Sequence, residues 1–181
     1  MIKYDENYYY NLLKIQASTA RDVMTKRYTF IMDNIDFRSE EDEQLTLLDY
    51  GCGIGAMKSF APGGWDVDTF DIMPVPQTGI KRQRYDVITM YDVLEHIPDF
   101  KEVEPILKKG DYVVISVPVK PPDVPWQGYK HFKPSEHLHY FTDDLLEHMF
   151  KHMGFKLIAK GMPECPPREY INSYIFKNEK A

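Results

Sequence analysis

The segment Leu47-Leu48-Asp49-Tyr50-Gly51-Cys52-Gly53-Ile54-Gly55 constrains this chain more than any other. A short apolar run passes directly into three alternating glycines, and Ala56 to Ala61 beyond them can form two helical turns before Pro62-Gly63-Gly64. An apolar run of that length ending in glycine reads as a buried strand. Glycine reaches φ > 0 without a steric penalty, so the turn is tight and its backbone can approach a ligand closely. The helix start presents N–H groups without internal partners. In open α/β sheets a crevice of this kind, at the carboxyl ends of the strands, is where ligands bind. The spacing therefore predicts a binding cradle running from Asp49 through Gly51, Cys52, Gly53 and Gly55.

The remaining segments extend the alternation. Strands are predicted at Leu45 to Tyr50, Trp65 to Asp71, Tyr85 to Tyr91, Asp111 to Val117, Phe155 to Lys160 and Asn172 to Lys177. Asp99 and Glu102 form a capping box for a helix toward Lys109, which Pro105 should shorten or kink. Thr142, Asp143 and Asp144 start another helix, with Leu145, Leu146, Met149, Phe150 and Met153 on one face and Gly154 at its end. Residues 1–40 read as a helical N-terminal arm, with an apolar patch at Leu12, Leu13, Ile15 and Ala17 and another from Val23 to Ile35. The fold class is α/β, a doubly wound, mainly parallel sheet covered on both faces, and 181 residues make one domain.

Composition narrows the function. A net charge of −6 and a pI near 5.5 argue against a broad phosphate-neutralising surface, so nucleic acid is not the expected partner. Two cysteines, Cys52 and Cys165, make neither a disulfide framework nor a zinc site. The N-terminus shows no secretory signal, and the apolar run at Val113 to Val117 is too short for a bilayer. A cytoplasmic protein is expected.

Two cofactor readings compete at the glycines. Gly51, Gly53 and Ala56 fit a loose G-x-G-x-x-G/A fingerprint, with Asp71 twenty residues on as a ribose acid, which would suit a nicotinamide-dependent oxidoreductase. The third glycine, Gly55, and Asp49 ahead of the turn favour the other. Asp-x-Gly-x-Gly-x-Gly resembles the first motif of the class I S-adenosylmethionine-dependent methyltransferases. Tyr85-Asp86-Val87-Ile88, continuing into Val93-Leu94-Glu95-His96-Ile97-Pro98-Asp99, resembles the "FD-x-(V/I)…VLEH-x-PD" segment of their small-molecule members, including the ubiquinone-biosynthesis type. The stretch from Glu136 to Thr142, leading to Gly154-Phe155, is similar as well, so the resemblance spans roughly residues 45–160.

That resemblance implies a Rossmann-like methyltransferase fold with S-adenosylmethionine as cofactor and S-adenosylhomocysteine as product. It places Gly51, Gly53 and Gly55 at the methionine end, Asp71 on the ribose hydroxyls, Ile72 on adenine, and Met90 and Tyr91 near the methyl group. Asp49 serves either the cofactor or the backbone of the glycine turn. One departure stands out: 13 residues separate Asp71 from Tyr85, where the family fits a helix, another strand and a further acid. Met73-Pro74-Val75-Pro76 is too proline-rich for that helix, so the sheet should be trimmed between the second and fourth usual strands.

The acceptor is expected to be a small molecule, methylated at oxygen or nitrogen rather than carbon. A histidine suits the removal of its proton at neutral pH, and His137 and His139, in a loop after the last parallel strand, are the candidate bases. His96 is expected to fix the turn after its strand. His148 and His152 have a metal-compatible spacing but read as solvated, and Glu136, His137 and His139 make only a weak metal cluster, so no metal is expected. The loop Pro121 to Lys133, with Trp126, Tyr129 and Phe132, and the run Tyr8-Tyr9-Tyr10 are candidates for a substrate lid. A non-catalytic module that binds S-adenosylmethionine is the remaining alternative.

Overall fold

A computed structural model describes residues 19–37, 44–166 and 168–180. The first apolar patch of the N-terminal arm and Tyr8-Tyr9-Tyr10 lie outside these residues. Six strands form one sheet: β1 (Leu45–Tyr50), β2 (Trp65–Phe70), β3 (Tyr85–Tyr91), β4 (Gly110–Pro118), β5 (Phe155–Gly161) and β6 (Ile171–Asn178). Their order is β2-β1-β3-β4-β6-β5. The pairs β1–β2, β1–β3 and β3–β4 are parallel, and β6 runs antiparallel between β4 and β5. The central strands are apolar on both faces because both faces are covered: Leu47, Leu48, Val87, Ile88, Val113, Val114 and Ile115 are all fully buried.

Helix α1 (Ala20–Asn34) covers one face, its Met24, Tyr28 and Ile31 packing with Leu47, Val67, Val87, Val114 and Ile175. On the opposite face, α4 (Asp143–His152) inserts Leu146 and Phe150 among Ile115, Val117, Tyr174 and Phe176. Its start follows the sequence, since Thr142 Oγ1 accepts a 3.3 Å hydrogen bond from Leu145 N–H ahead of Asp143 and Asp144. Gly154 ends it at φ +90°. Between these lie two single-turn helices, α2 (Ala56–Ser59) and α3 (Glu104–Leu107). Pro105 does not kink α3. It sits in the first turn, where its missing N–H costs no internal bond, and the capping acid Asp99 starts a separate 3₁₀ turn at Phe100–Glu102 instead.

The trimmed sheet is present. Among the described residues, 71–84 contain neither strand nor helix, and β2 lies at the edge. The connecting loop still satisfies that edge. Thr69 N–H donates to Thr78 Oγ1 (2.9 Å), Thr78 N–H to Thr69 Oγ1 (3.0 Å) and Gly79 N–H to Thr69 O (3.0 Å). Arg82 pairs with Asp66 and Asp68 along the same strand. An edge covered in this way is a poor template for pairing with another chain.

The packing of α4 rests on Phe150, whose ring stacks on Phe176 at 4.0 Å between centroids, both side chains being fully buried. Phe150→Ala should cost about 3–5 kcal/mol, the range for emptying a buried phenylalanine site. Urea denaturation would measure it; a loss below ~1 kcal/mol would show that this face collapses to fill the void.

Candidate active site

Because β1 and β2 are parallel and in register from Leu45↔Trp65 to Tyr50↔Phe70, they deliver Gly51 and Asp71 side by side. Phe70 O accepts from Gly51 N–H (2.7 Å) and Cys52 N–H (3.1 Å). The Asp71 carboxylate then clamps the turn: Oδ2 accepts from Gly53 N–H and Oδ1 from Met73 N–H, each at 2.8 Å. Gly51 has φ +83°, and a Cβ there would lie 2.3 Å from Val93 Cγ2, so any side chain would push away the turn after β3. Gly53, at φ +50°, faces open space. Gly55 caps α2 at φ +71° and does not line the cleft.

A cleft of about 710 Å³ opens at these strand ends, within the size range of small-molecule sites. Asp49 is buried in its wall and accepts a 2.9 Å bond from Thr89 Oγ1, not from the glycine turn. Burial raises its carboxyl to about 6, against the lowering effect of Thr89 and Arg27. Burial, with Asp49 and Asp71 nearby, pushes the Cys52 thiol up to about 12, so it stays protonated. Ile72 lines the lip at 78% exposure, an uncovered apolar side chain next to Asp71. Tyr91 also faces the cleft, its ring 3.9 Å from the Arg27 guanidinium carbon. Met90 does not. Successive strand residues point to opposite faces, and Met90 is fully buried on the other side with Leu94, Val113 and Ile115.

Beyond Tyr91 the chain turns sharply at Asp92, which has φ +58°. Its carboxylate takes two bonds from Arg168 Nη2, at 2.7 and 2.8 Å. Arg168 also reaches Glu164 (2.6 Å), and Arg27 binds Glu164 through two nitrogens (2.9 and 3.2 Å). Burial alone would raise the Asp92 carboxyl; the Arg168 guanidinium overrides it and holds it low. None of Arg27, Asp92, Glu164 or Arg168 was anticipated from the sequence: Glu164 and Arg168 are four residues apart, but Arg27 and Asp92, which complete the cluster, come from distant segments.

The far wall of the cleft joins the turn after β3 to the histidine loop. Glu95 O accepts from Leu138 N–H (2.8 Å) and His139 N–H (3.2 Å), and His96 Nδ1 lies 2.9 Å from Glu136 O. His96 thus fixes this turn as expected. His137 lines the cleft and is buried. Burial, then His96 and Lys133, lower its pKa and keep its imidazole neutral. His139 corrects the sequence expectation: it lies off the cleft, with Nε2 2.8 Å from Ile97 O and its ring 4.6 Å from that of Phe100. Trp126, Phe132 and Tyr140 pack on one another rather than over the cleft; of that loop, His131 and Lys133 reach it. Glu95, buried and facing the cleft, also went unselected although it sits inside the Val93 to Asp99 motif. Its carboxyl is raised by burial and by the charge of Asp92.

A methyltransferase-domain family model matches residues 24–160. The chain belongs to that family. Its sheet is that of the class I S-adenosylmethionine-dependent methyltransferases. A SAM-dependent methyltransferase from Archaeoglobus fulgidus superposes with a TM-score of 0.62 at 16% identity, covering 94% of this chain and 99% of that one. The magnesium protoporphyrin IX methyltransferase from Synechocystis PCC 6803, solved with bound SAH, gives 0.59 at 16% identity over 89% and 82%. The mitomycin 7-O-methyltransferase gives 0.62 at 10% identity over 91% of this chain, which spans 54% of its length. No curated protein sequence matches the chain.

The four-charge cluster is balanced, and Glu164 is its most buried member at 1% exposure. Glu164→Leu leaves two guanidiniums facing one carboxylate, so stability should fall by about 3–5 kcal/mol, the cost of breaking a buried ion pair on one side. Denaturant titration with an unchanged midpoint would show that water solvates these arginines.

Proposed function

We propose that the protein transfers the methyl group of S-adenosylmethionine to an oxygen or nitrogen of a small polar molecule, as a single domain with residues 1–40 as its arm, acting in the cytoplasm. The observation that carries this reading is one cleft whose two ends differ in chemistry. At one end lie the glycine turn, Asp71 and Ile72; at the other lie Glu95, His131 and His137.

The residues present fit the cofactor. Asp49 is a buried carboxyl with no cation in hydrogen-bond contact among the described residues, which suits a ligand with a positive end. A carboxylate offers about four lone-pair sites, and Gly53 and Met73 occupy one on each oxygen of Asp71. The remaining sites would take the ribose hydroxyls. Ile72 would pack on adenine, Gly51, Cys52 and Gly53 would present backbone to the methionine portion, and Gly55 would hold the turn's exit. Tyr91 would border the methyl group, with Met90 supporting it from the core. When bound, the cofactor supplies a methyl group already activated as a sulfonium. The chain's own task is to align the acceptor, exclude water and take a proton, and neutral His137 is placed to contact the acceptor. The 7-O specificity of the mitomycin enzyme supports oxygen as an acceptor atom.

Titration calorimetry should show binding of S-adenosylhomocysteine and none of NAD; the reverse would overturn the reading. Asp71→Ala should weaken S-adenosylhomocysteine binding roughly tenfold to a hundredfold, the loss of about 1.5–3 kcal/mol expected for a hydrogen bond to a charged group. Unchanged affinity would place the ribose elsewhere.

Asp49 gives a pH signature. Its raised carboxyl ionises as pH rises through about 6, and only the ionised form attracts a cation. S-adenosylmethionine binding should therefore tighten as pH rises through that value, more than binding of the uncharged-sulfur product does. In Asp49→Asn the dependence should vanish. A slope that survives the substitution would assign it to another group.

A further inference from the structure

We propose that the carboxylate of Glu95 binds the O–H or N–H group of the methyl acceptor and takes its proton, with His137 as the neighbouring contact. This rests on the methyl-transfer reading above. Its basis is hydrogen-bonding capacity left unmet inside the fold. Glu95 is 1% exposed, and its Oε2 has no partner among the described residues. The Tyr129 hydroxyl is likewise buried without a partner among the described residues, and the ring of Tyr140 packs against His137. Buried polar atoms are nearly always bonded, and an exception calls for a ligand, ion or water.

The surrounding charges say what kind of ligand. Asp92, the nearest acid in the chain, is already satisfied by Arg168 at 2.7 and 2.8 Å. Lys133, the cation on the same wall, is paired with Glu136 at 3.2 Å. Glu95 lines the cleft, and its Oε2, buried within that wall, has no hydrogen-bond partner and no cation bonded to it among the described residues. Once Glu95 is ionised, a group that donates a hydrogen bond from the ligand side completes it, which favours a hydroxyl or amine over a carbon nucleophile. Glu95 and His137 offer their atoms within 4.8 Å of each other, close enough for one X–H group to contact both.

The step balances without any further reactant. As the X–C bond forms, the S–C bond of the sulfonium breaks and its electron pair stays on sulfur. The X–H proton passes to Glu95 Oε2, and the X–H electron pair remains on X. Burial and the charge of Asp92 raise this carboxyl to about 8, so its ionised form is a stronger base than an exposed glutamate, and turnover should rise as pH passes up through that value.

The side chain can be changed without undocking the histidine loop, because Leu138 and His139 bond to the Glu95 backbone carbonyl. The test uses the protein saturated with S-adenosylhomocysteine and, as probe, dopamine, which carries two phenolic hydroxyls and an ammonium. Calorimetry should show dopamine binding to the wild type and at least tenfold weaker binding to Glu95→Gln. Affinity for S-adenosylhomocysteine should be unchanged in the variant, which also reports that it is folded. Transfer of labelled methyl to dopamine should fall by roughly a hundredfold, as for a lost general base. Equal dopamine affinity in the two proteins overturns the assignment, as does a wild type that binds the sulfur nucleoside but not dopamine. Turnover abolished by EDTA and restored by Mg²⁺ or Zn²⁺ overturns it too, since the Glu95 oxygen would then be holding a cation. Failure to bind S-adenosylhomocysteine strikes the cofactor reading itself, so the two failures are distinct.

Discussion

Three segments far apart in the chain meet at Arg27, Asp92, Glu164 and Arg168. Arg27 comes from α1, Asp92 from the turn after β3, and Glu164 and Arg168 from the connection between β5 and β6. A buried charge is costly unless paired and hydrogen-bonded. Here two cations and two anions cancel, with bidentate geometry at Arg27–Glu164 and at Arg168–Asp92. The cluster therefore contributes position more than net stability. It holds Asp92 in a left-handed conformation that costs a non-glycine residue about 1–3 kcal/mol and persists only where the surroundings over-determine it. That turn sets Val93 against Gly51 and brings Glu95 to the cleft. Both ends of the site depend on it.

The trimmed edge has the opposite character. Where a further strand is missing, β2 is closed by threonine hydroxyls, one backbone bond and an arginine across two aspartates. Such a loop satisfies polar groups but adds little apolar cover. Ile72 consequently stands exposed beside Asp71. The end of the cleft proposed for adenine is thus open at Ile72, and affinity for the nucleoside would rest on the glycine turn and Asp71 rather than on a deep ring pocket.

Much of this was legible in the sequence because it is written in local patterns. Apolar runs located the strands, the first of them running into glycine, Thr142 and Gly154 bounded α4, and the 13 residues after Asp71 announced the shortened sheet. Strand alternation, applied one step further, would have put Met90 and Tyr91 on opposite faces of the sheet, with Met90 in the core. What stayed hidden depends on pairing at long range. Arg27 and Glu164 lie 137 positions apart, and no spacing rule connects them. His137 and His139 shared one loop and one chemistry; only the bond from His139 to Ile97 and its stacking on Phe100 tell them apart.

The two ends of the cleft are built from different parts of the chain, and this bears on how function can diverge. The end proposed for the cofactor is mostly backbone, a turn held by the Gly51, Cys52 and Gly53 N–H groups donating to Phe70 O and to the Asp71 carboxylate. Backbone geometry of that kind demands glycine at the turn but is otherwise indifferent to side chains, so it shows as a motif. The end proposed for the acceptor is side chains, Glu95 and His137 above all, on a turn and a loop tied together by main-chain bonds from Leu138 and His139 to Glu95 O. Because the tie is main-chain, the side chains it presents can be exchanged without unmaking the wall. A scaffold divided in this way keeps the methyl donor fixed while the acceptor changes. That explains how a cleft so plain in its cofactor end can leave its acceptor unwritten in the sequence.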